Sequence, residues 1–283
     1  MNTEATNTAR EIQRMFGSNY YAATLLLPKA IRDDIFIFYA FVRLADEIID
    51  NATDENSASE ELAFFSAAWK KMYHTGEGTD TILRAFRRVC LQHDIAYTET
   101  TDFLSAMQTD LVIKRYDTYS DLQAYMYGSA EIIGVMLTKV FGCQDEAALP
   151  YAQALGEAMQ LTNFLRDIRE DYIDRGRVYL PQDLLHKHSV KEGDLLKDPS
   201  TPEVRSLLEE LCGKAESLYT YAQQGITLLP RNVQPAVRTA AALYREIIRE
   251  LTRKKYNIPN EKIRFSKLKK TYIALLYGYV KTN

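Results

Sequence analysis

Six oxygen-bearing side chains recur at helical spacing in two distant stretches of this chain. Asp46 and Asp50 lie in "IFIFYAFVRLADEIID", residues Ile35 to Asp50. Gln160, Asn163, Asp167 and Asp171 lie in "QLTNFLRDIREDYIDRGRVYLP", residues Gln160 to Pro181. Carboxylates four residues apart on a helix repel each other unless a cation joins them. Hard Asp and Asn oxygens suit Mg²⁺, with Mn²⁺ as the alternative, and Mg²⁺ commonly shares its shell with substrate phosphates. The turn glycine and loop spacing of an EF-hand calcium site are absent. The chemistry these residues could do together is metal-assisted handling of a diphosphate.

Two helices must position them. Advancing each residue by about 100° around a helix axis places Tyr39, Arg43 and Asp50 within about 60° of Asp46, with Glu47 at the edge. Phe36, Phe38, Phe41, Val42, Leu44, Ala45, Ile48 and Ile49 fill most of the remaining circumference. A solvated helix spreads charge over its outer face; a narrow polar stripe on an apolar helix predicts a buried helix facing a lined cavity. In the second stretch, Gln160, Asp167 and Asp171 fall within about 80° of Asn163. Leu161, Phe164, Leu165, Ile168 and Tyr172 form an apolar face, and Arg166, Arg169 and Glu170 a mixed-charge one. Either stripe alone also reads as a solvated acidic face. Two in one chain, one of them otherwise apolar, favour a Mg²⁺–diphosphate site.

The rest of the chain supports helices. Apolar residues recur at helical spacing almost throughout, and β-type alternation is scarce. The 283 residues, with only 12 Gly and 8 Pro, predict one all-α domain over residues 1–283 with about ten helices. Such a bundle can place a cofactor site between facing helices. A net charge of −3 gives no sign of nucleic-acid binding. The three Cys are far apart and read as reduced thiols, and the four His lack zinc-site spacing. The first residues carry no signal-peptide core, and no apolar run approaches the roughly 18 residues of a membrane span, so a cytoplasmic protein is expected. The basic stretch from Arg253 to Lys270 reads either as a solvated face or as a peripheral membrane contact. Oligomeric state is left open.

These stretches resemble the squalene/phytoene synthase family of head-to-head prenyl synthases. "FYAFVRLADEIID" looks like its first aspartate-rich motif. "QLTNFLRDIREDYIDRGRVYLP" is similar to the second motif with the RGRxYLP segment that follows it. "YMYGSAEIIG", Tyr125 to Gly134, looks like the small-residue wall of the prenyl tunnel. The likeness covers nearly the whole chain. It implies an all-α isoprenoid-synthase fold whose central cavity takes two allylic prenyl diphosphates. By position, Asp46, Asp50, Asn163, Asp167 and Asp171 would hold Mg²⁺. Tyr39, Arg43, Gln160 and Arg166 would touch diphosphate or orient the ligands. Asp110 and Tyr125 would line the region where the chains meet, with Ala130 and Gly134 along the tunnel. Tyr244 and Arg264 would close the diphosphate end. The small residues of "GSAEIIG" also read simply as a close-packing or kinked segment. Glu131 is expected to turn away from the prenyl chain.

Many relatives carry a His-Ser-Lys-Ser-Phe-like segment ahead of the first motif, whereas this chain has Gly17, Ser18, Asn19 and Tyr20. The Lys contact is missing there, and Ser18 and Asn19 would donate hydrogen bonds instead. Glu47 looks more like phytoene synthases than eukaryotic squalene synthases. The resemblance thus implies condensation of two geranylgeranyl diphosphates to phytoene through a cyclopropyl diphosphate, with NADPH not expected. The alternative is a C30 dehydrosqualene or squalene synthase using farnesyl diphosphate. A head-to-tail prenyltransferase or terpene cyclase fits less well, because neither motif has an adjacent Asp–Asp pair. A non-catalytic lipid-binding or assembly protein need not keep its acidic positions, and all are present here.

Overall fold

The computed structural model describes residues 3–50 and 54–280. Among these residues the chain forms thirteen α-helices and no strand, only a lone parallel bridge between Arg115 and Val178. The first half comprises α1 (Thr3–Phe16), α2 (Ser18–Thr24), α3 (Lys29–Asp50), α4 (Glu55–Thr75), α5 (Thr81–Gln92), α6 (Tyr97–Val112) and α7 (Tyr119–Met126). The second comprises α8 (Ile132–Val140), α9 (Leu149–Arg175), α10 (Gln182–Lys187), α11 (Pro202–Gly225), α12 (Gln234–Arg253) and α13 (Lys267–Leu275). The excess over the expected ten comes from short pieces such as α2 and α10, too brief to show a helical repeat.

Helix α3 is central because it is apolar on most sides. Ile35, Phe36, Ile37, Phe38 and Phe41 are all buried, and α1, α4, α5 and α6 pack around them. Phe41 stacks on Phe86 at 4.1 Å between ring centroids and meets Trp69 at 5.0 Å. The polar connection before α4 supplies its cap: the Asp54 carboxylate accepts from the Ser57 amide at 2.8 Å.

Helix α9 is the second axis. It starts with Pro150 in its first turn, lies along α11, and stops at Gly176, whose φ of 63° breaks the helical path. The chain beyond it, the RGRxYLP segment, runs beside residues 114–117. The Val178 amide donates to the Lys114 carbonyl at 3.0 Å and the Gln182 amide to that of Tyr116 at 2.9 Å. This pairing turns Arg177 and Tyr179 toward the interior.

Between α7 and α8 the chain makes a π-helical turn, Tyr127–Glu131. The kink delivers the following residues against α9 at backbone contact distance. A Cβ on Gly134 would strike the Ala152 carbonyl, and one on Gly156 would sit 2.5 Å from the Ala130 carbonyl oxygen. The segment therefore packs closely, and Ala130 and Gly134 also line the cavity described next.

Candidate active site

Helices α3 and α9 do not pack on each other; a cavity of about 640 Å³ lies between them. One end carries the two polar stripes. Asp46, Asp50, Tyr39 and Arg43 of α3 line it, as do Gln160, Asn163, Arg166, Asp167 and Asp171 of α9. The remaining wall is mostly apolar, with Val42, Ile133, Leu137, Phe141 and Leu155 among its residues. A site built this way offers a charged end and a mostly apolar remainder within one volume.

Every carboxylate at the charged end meets a cation. The Arg43 guanidinium pairs with Asp46 and Glu47 on its own helix and lies 3.5 Å from Asp50. Arg166 grips Asp167 with two hydrogen bonds, 2.8 and 2.6 Å, and Lys262 adds a contact at 3.2 Å. Arg175 reaches both helices, 3.1 Å from Asp50 and 2.7 Å from Asp171. Two of these carboxylates, Asp46 and Asp171, remain hard to ionise. Burial, then repulsion from Asp50, raises the Asp46 pKa to about 6 against the pull of Arg43. Burial and Asp167 raise Asp171 to about 7 against Arg175. Carboxylates driven upward by burial and by each other, at the end of a cavity, mark a functional site.

The donor set suits a hard divalent ion: four carboxylates, plus the side-chain oxygen of Asn163, which is buried with no partner among the described residues. In the arrangement present, no three acidic, His or Cys side chains among the described residues stand close enough to hold an ion. The oxygens are drawn onto arginines, so ligation requires those side chains to turn.

Further in, Asp110 is 6% exposed and accepts from the Tyr179 hydroxyl at 2.7 Å, with Arg177 at 3.0 Å. Burial raises its pKa in spite of Arg177 and the tyrosine hydrogen bonds. Beside it Tyr125, Phe164 and Tyr179 stack, with Phe164–Tyr179 centroids 4.1 Å apart and Tyr125–Tyr179 6.0 Å apart. A carboxylate amid aromatic faces can stabilise a developing cation.

At the other flank, Ser18 and Asn19 line the cavity, as does Tyr244, whose ring lies 4.9 Å from that of Tyr20. Lys270 of α13 donates to the Ser18 hydroxyl at 2.8 Å, so a lysine does reach this corner, from the far end of the chain. Glu131 is not among the lining residues, as expected of a side chain turned away. Arg264 corrects the sequence reading: it is exposed and does not line the cavity, and Lys262, two residues earlier, is the cation that enters. Residues 262–266 have no regular secondary structure, so no repeat in the sequence indicates which of their cations turns inward. Arg175, Arg177, Tyr179 and Lys262 were also not singled out from sequence. Arg175 left one signal, its place four residues after Asp171 on the same helical face.

An all-α fold around a cavity with an acidic end and a mostly apolar remaining wall is that of the isoprenoid synthases. The squalene/phytoene synthase family model matches residues 13–269, and the chain belongs to this family of prenyltransferases, which act on prenyl diphosphates. It is 30% identical over 280 residues to the phytoene synthase of Arthrospira platensis, covering 93% of this chain and 90% of that one. It is 34% identical over 240 residues to the phytoene synthase of Thermus thermophilus, covering 85% and 81%. A crystal structure of a dehydrosqualene synthase in complex with ligand superposes with a TM-score of 0.88 at 27% identity, covering 96% of this chain and 94% of that one.

Proposed function

We propose that this chain joins two geranylgeranyl diphosphates head to head, through a cyclopropyl diphosphate, to give phytoene without a reductant. The observation that carries this reading is the pair of aspartate helices facing each other across the charged end of a cavity whose remaining wall is mostly apolar. Similarity to phytoene synthases over most of the chain supports the C40 product.

The chain's own residues divide the work. Asp46, Asp50, Asn163, Asp167 and Asp171 would hold Mg²⁺ or Mn²⁺. When bound, the metal would neutralise the diphosphate and ease its departure. Arg43, Arg166, Gln160, Tyr39, Tyr244, Ser18 and Asn19 would seat the diphosphate and orient the ligands. Asp110 and Tyr125 would stabilise positive charge where the chains meet. The wall of Ala130, Gly134, Ile133 and Leu137 would keep water from the carbocation.

A second reading, a C30 synthase using farnesyl diphosphate, is favoured by the likeness to the dehydrosqualene synthase structure. Incubating purified protein and Mg²⁺ with each diphosphate, with and without NADPH, and identifying the hydrocarbon by mass spectrometry separates the two. Phytoene from geranylgeranyl diphosphate alone is the expected result; a C30 product alone overturns it.

Peripheral contact with a membrane belongs to the same proposal. Among the described residues no helix is long and apolar enough to cross a bilayer. On α13, Leu268, Tyr272 and Leu275 are 84%, 65% and 56% exposed and share a stripe about 60° wide. Basic Lys267 lies to one side of that stripe, which suits an anionic bilayer. Salt-sensitive flotation with anionic liposomes, lost in Leu268→Ser/Tyr272→Ser, tests it.

A further inference from the structure

The two aspartate helices are joined by a basic side chain at the end of the α9 stripe. Arg175 is the last residue of α9, just before the chain turns at Gly176. Its Nη1 lies 2.7 Å from Asp171 Oδ1 on α9 and its Nη2 lies 3.1 Å from Asp50 Oδ1 on α3, with Glu170 at 3.5 Å. The other cations of the charged end behave differently. Arg43 pairs with carboxylates of α3, and Arg166 with its neighbour Asp167. Lys262 reaches only α9 from the C-terminal segment. Because α3 and α9 do not pack on each other, the Arg175 fork ties the two stripes together.

We propose that Arg175 is the internal counter-ion of this clamp. It holds Asp50 and Asp171 in register and competes with a divalent cation for those same two carboxylates, so that it sets how tightly the protein takes metal. This rests on the metal-binding reading given above. The planar guanidinium suits the role, because one group can serve two carboxylates at once. Asp171 is 7% exposed at its side chain and Asp50 19%, so solvent screens the pairs only in part. A divalent ion that takes both oxygens has to displace Arg175 from both, and the lost ion pairs lower its apparent affinity. A glutamine at this position is shorter and offers fewer donors but stays polar and removes the competing charge.

The test is substrate-free titration with Mn²⁺, followed by electron paramagnetic resonance, on the full chain as wild type, Arg175→Gln, Arg175→Lys and Asp171→Asn. Melting temperatures in EDTA and in saturating Mn²⁺ are measured alongside. The expected result is Mn²⁺ binding about tenfold tighter in Arg175→Gln than in wild type. Arg175→Lys should fall between them, because a lysine keeps the charge but loses the two-pronged fit. In EDTA, Arg175→Gln should melt below wild type, and saturating Mn²⁺ should close the gap. Equal or weaker Mn²⁺ affinity in Arg175→Gln overturns the proposal, whatever the melting temperatures. Loss of binding in Asp171→Asn alone, with wild type and Arg175→Gln alike, leaves the metal site standing and removes Arg175 from it. No Mn²⁺ binding by any of the four proteins overturns the metal reading itself and the role of Arg175 with it.

Discussion

Helix α3 carries two kinds of carboxylate three turns apart. Asp34, near its start, is 2% exposed at the side chain and fully served: Arg88 donates at 2.6 Å, Gln92 at 3.1 Å, and His93 Nε2 lies 2.9 Å away. Burial works against its charge, but the hydrogen bonds from His93 and Arg88 win and its pKa is lowered. Asp46, near the end of the same helix, is driven the other way, up to about 6, by burial and by Asp50. One carboxylate has found its partners in the fold and ties α3 to α5. The other is left under electrostatic strain at the edge of a cavity. Burial of acid alone does not distinguish a structural tie from a site; the direction in which the surroundings push the proton does.

Substitutions at the two positions should therefore fail in opposite ways. Asp46→Asn is expected to cut hydrocarbon formation from prenyl diphosphate by at least about 10²-fold while leaving the melting temperature unchanged or higher, since an ionised group held under strain is removed. Product assays beside calorimetry read both. An Asp46→Asn protein with full turnover would remove the clamp from the mechanism. Asp34→Asn should do the reverse: turnover per folded molecule is retained, and stability falls by about 3 kcal/mol because Arg88 and His93 lose a buried partner.

The pH dependence of that second effect follows from the lowered pKa. A carboxylate with a depressed folded pKa contributes stability above its unfolded value, 3.8, and loses it as pH falls through the folded one. The stability gap between wild type and Asp34→Asn should hold from neutral pH down to about 4 and close below it. Urea unfolding at pH 7, 4.5 and 3 tests this. A gap that persists unchanged at pH 3 would contradict the assignment of Asp34 as the ionised centre of the cluster.

The contrast was only half visible in the amino-acid sequence. The stripe holding Tyr39, Arg43, Asp46 and Asp50 could be read because a regular helix turns spacing into direction, and the same holds for Gln160, Asn163, Asp167 and Asp171. Asp34 stands one residue ahead of that stretch and was not singled out. What serves it, Arg88 and His93, arrives from α5 and its end, more than fifty residues away, and no local repeat encodes that approach. Arg177 and Tyr179 are likewise placed by the pairing of their segment with residues 114–117. Arg264, placed at the diphosphate end by resemblance, is exposed, and Lys262 turns inward instead, in a segment with no periodic element to indicate it. Helical periodicity reveals which residues of one element share a face; which chain end swings over that face is a tertiary outcome.

The small residues of the cavity wall sharpen the comparison without charge. Gly134→Ala is expected to destabilise by about 2 kcal/mol, because the added methyl group meets the Ala152 carbonyl where two backbones touch. Since Gly134 lines the cavity, turnover should drop as well, and the ratio of C40 to C30 product should fall if the wall shifts inward. Thermal melting and the product ratio from mixed diphosphates measure the two effects.

The smallest expected effect tests the limits of the rule drawn from Asp34 and Asp46. Glu131 also has a raised pKa, about 7, caused first by burial and then by Glu157, yet it does not line the cavity. Glu157 is itself buried and accepts from Tyr119 at 3.0 Å and Gln123 at 3.2 Å, so it holds its place while Glu131 bears the repulsion. An acid with a raised folded pKa is penalised where it must ionise, above about 7, and the penalty is relieved as pH falls toward the unfolded value of 4.5. Glu131→Gln should therefore melt above wild type at pH 8, by about 2 °C once solvent screening of this partly exposed group is allowed for. The two should melt together at pH 4.5, and hydrocarbon formation should be unaltered. If Glu131→Gln instead abolished turnover, an upward shift would mark function even outside the cavity wall. If it changes stability alone, strain on a carboxylate signals a site only where the strained group also faces the space in which a substrate can lie.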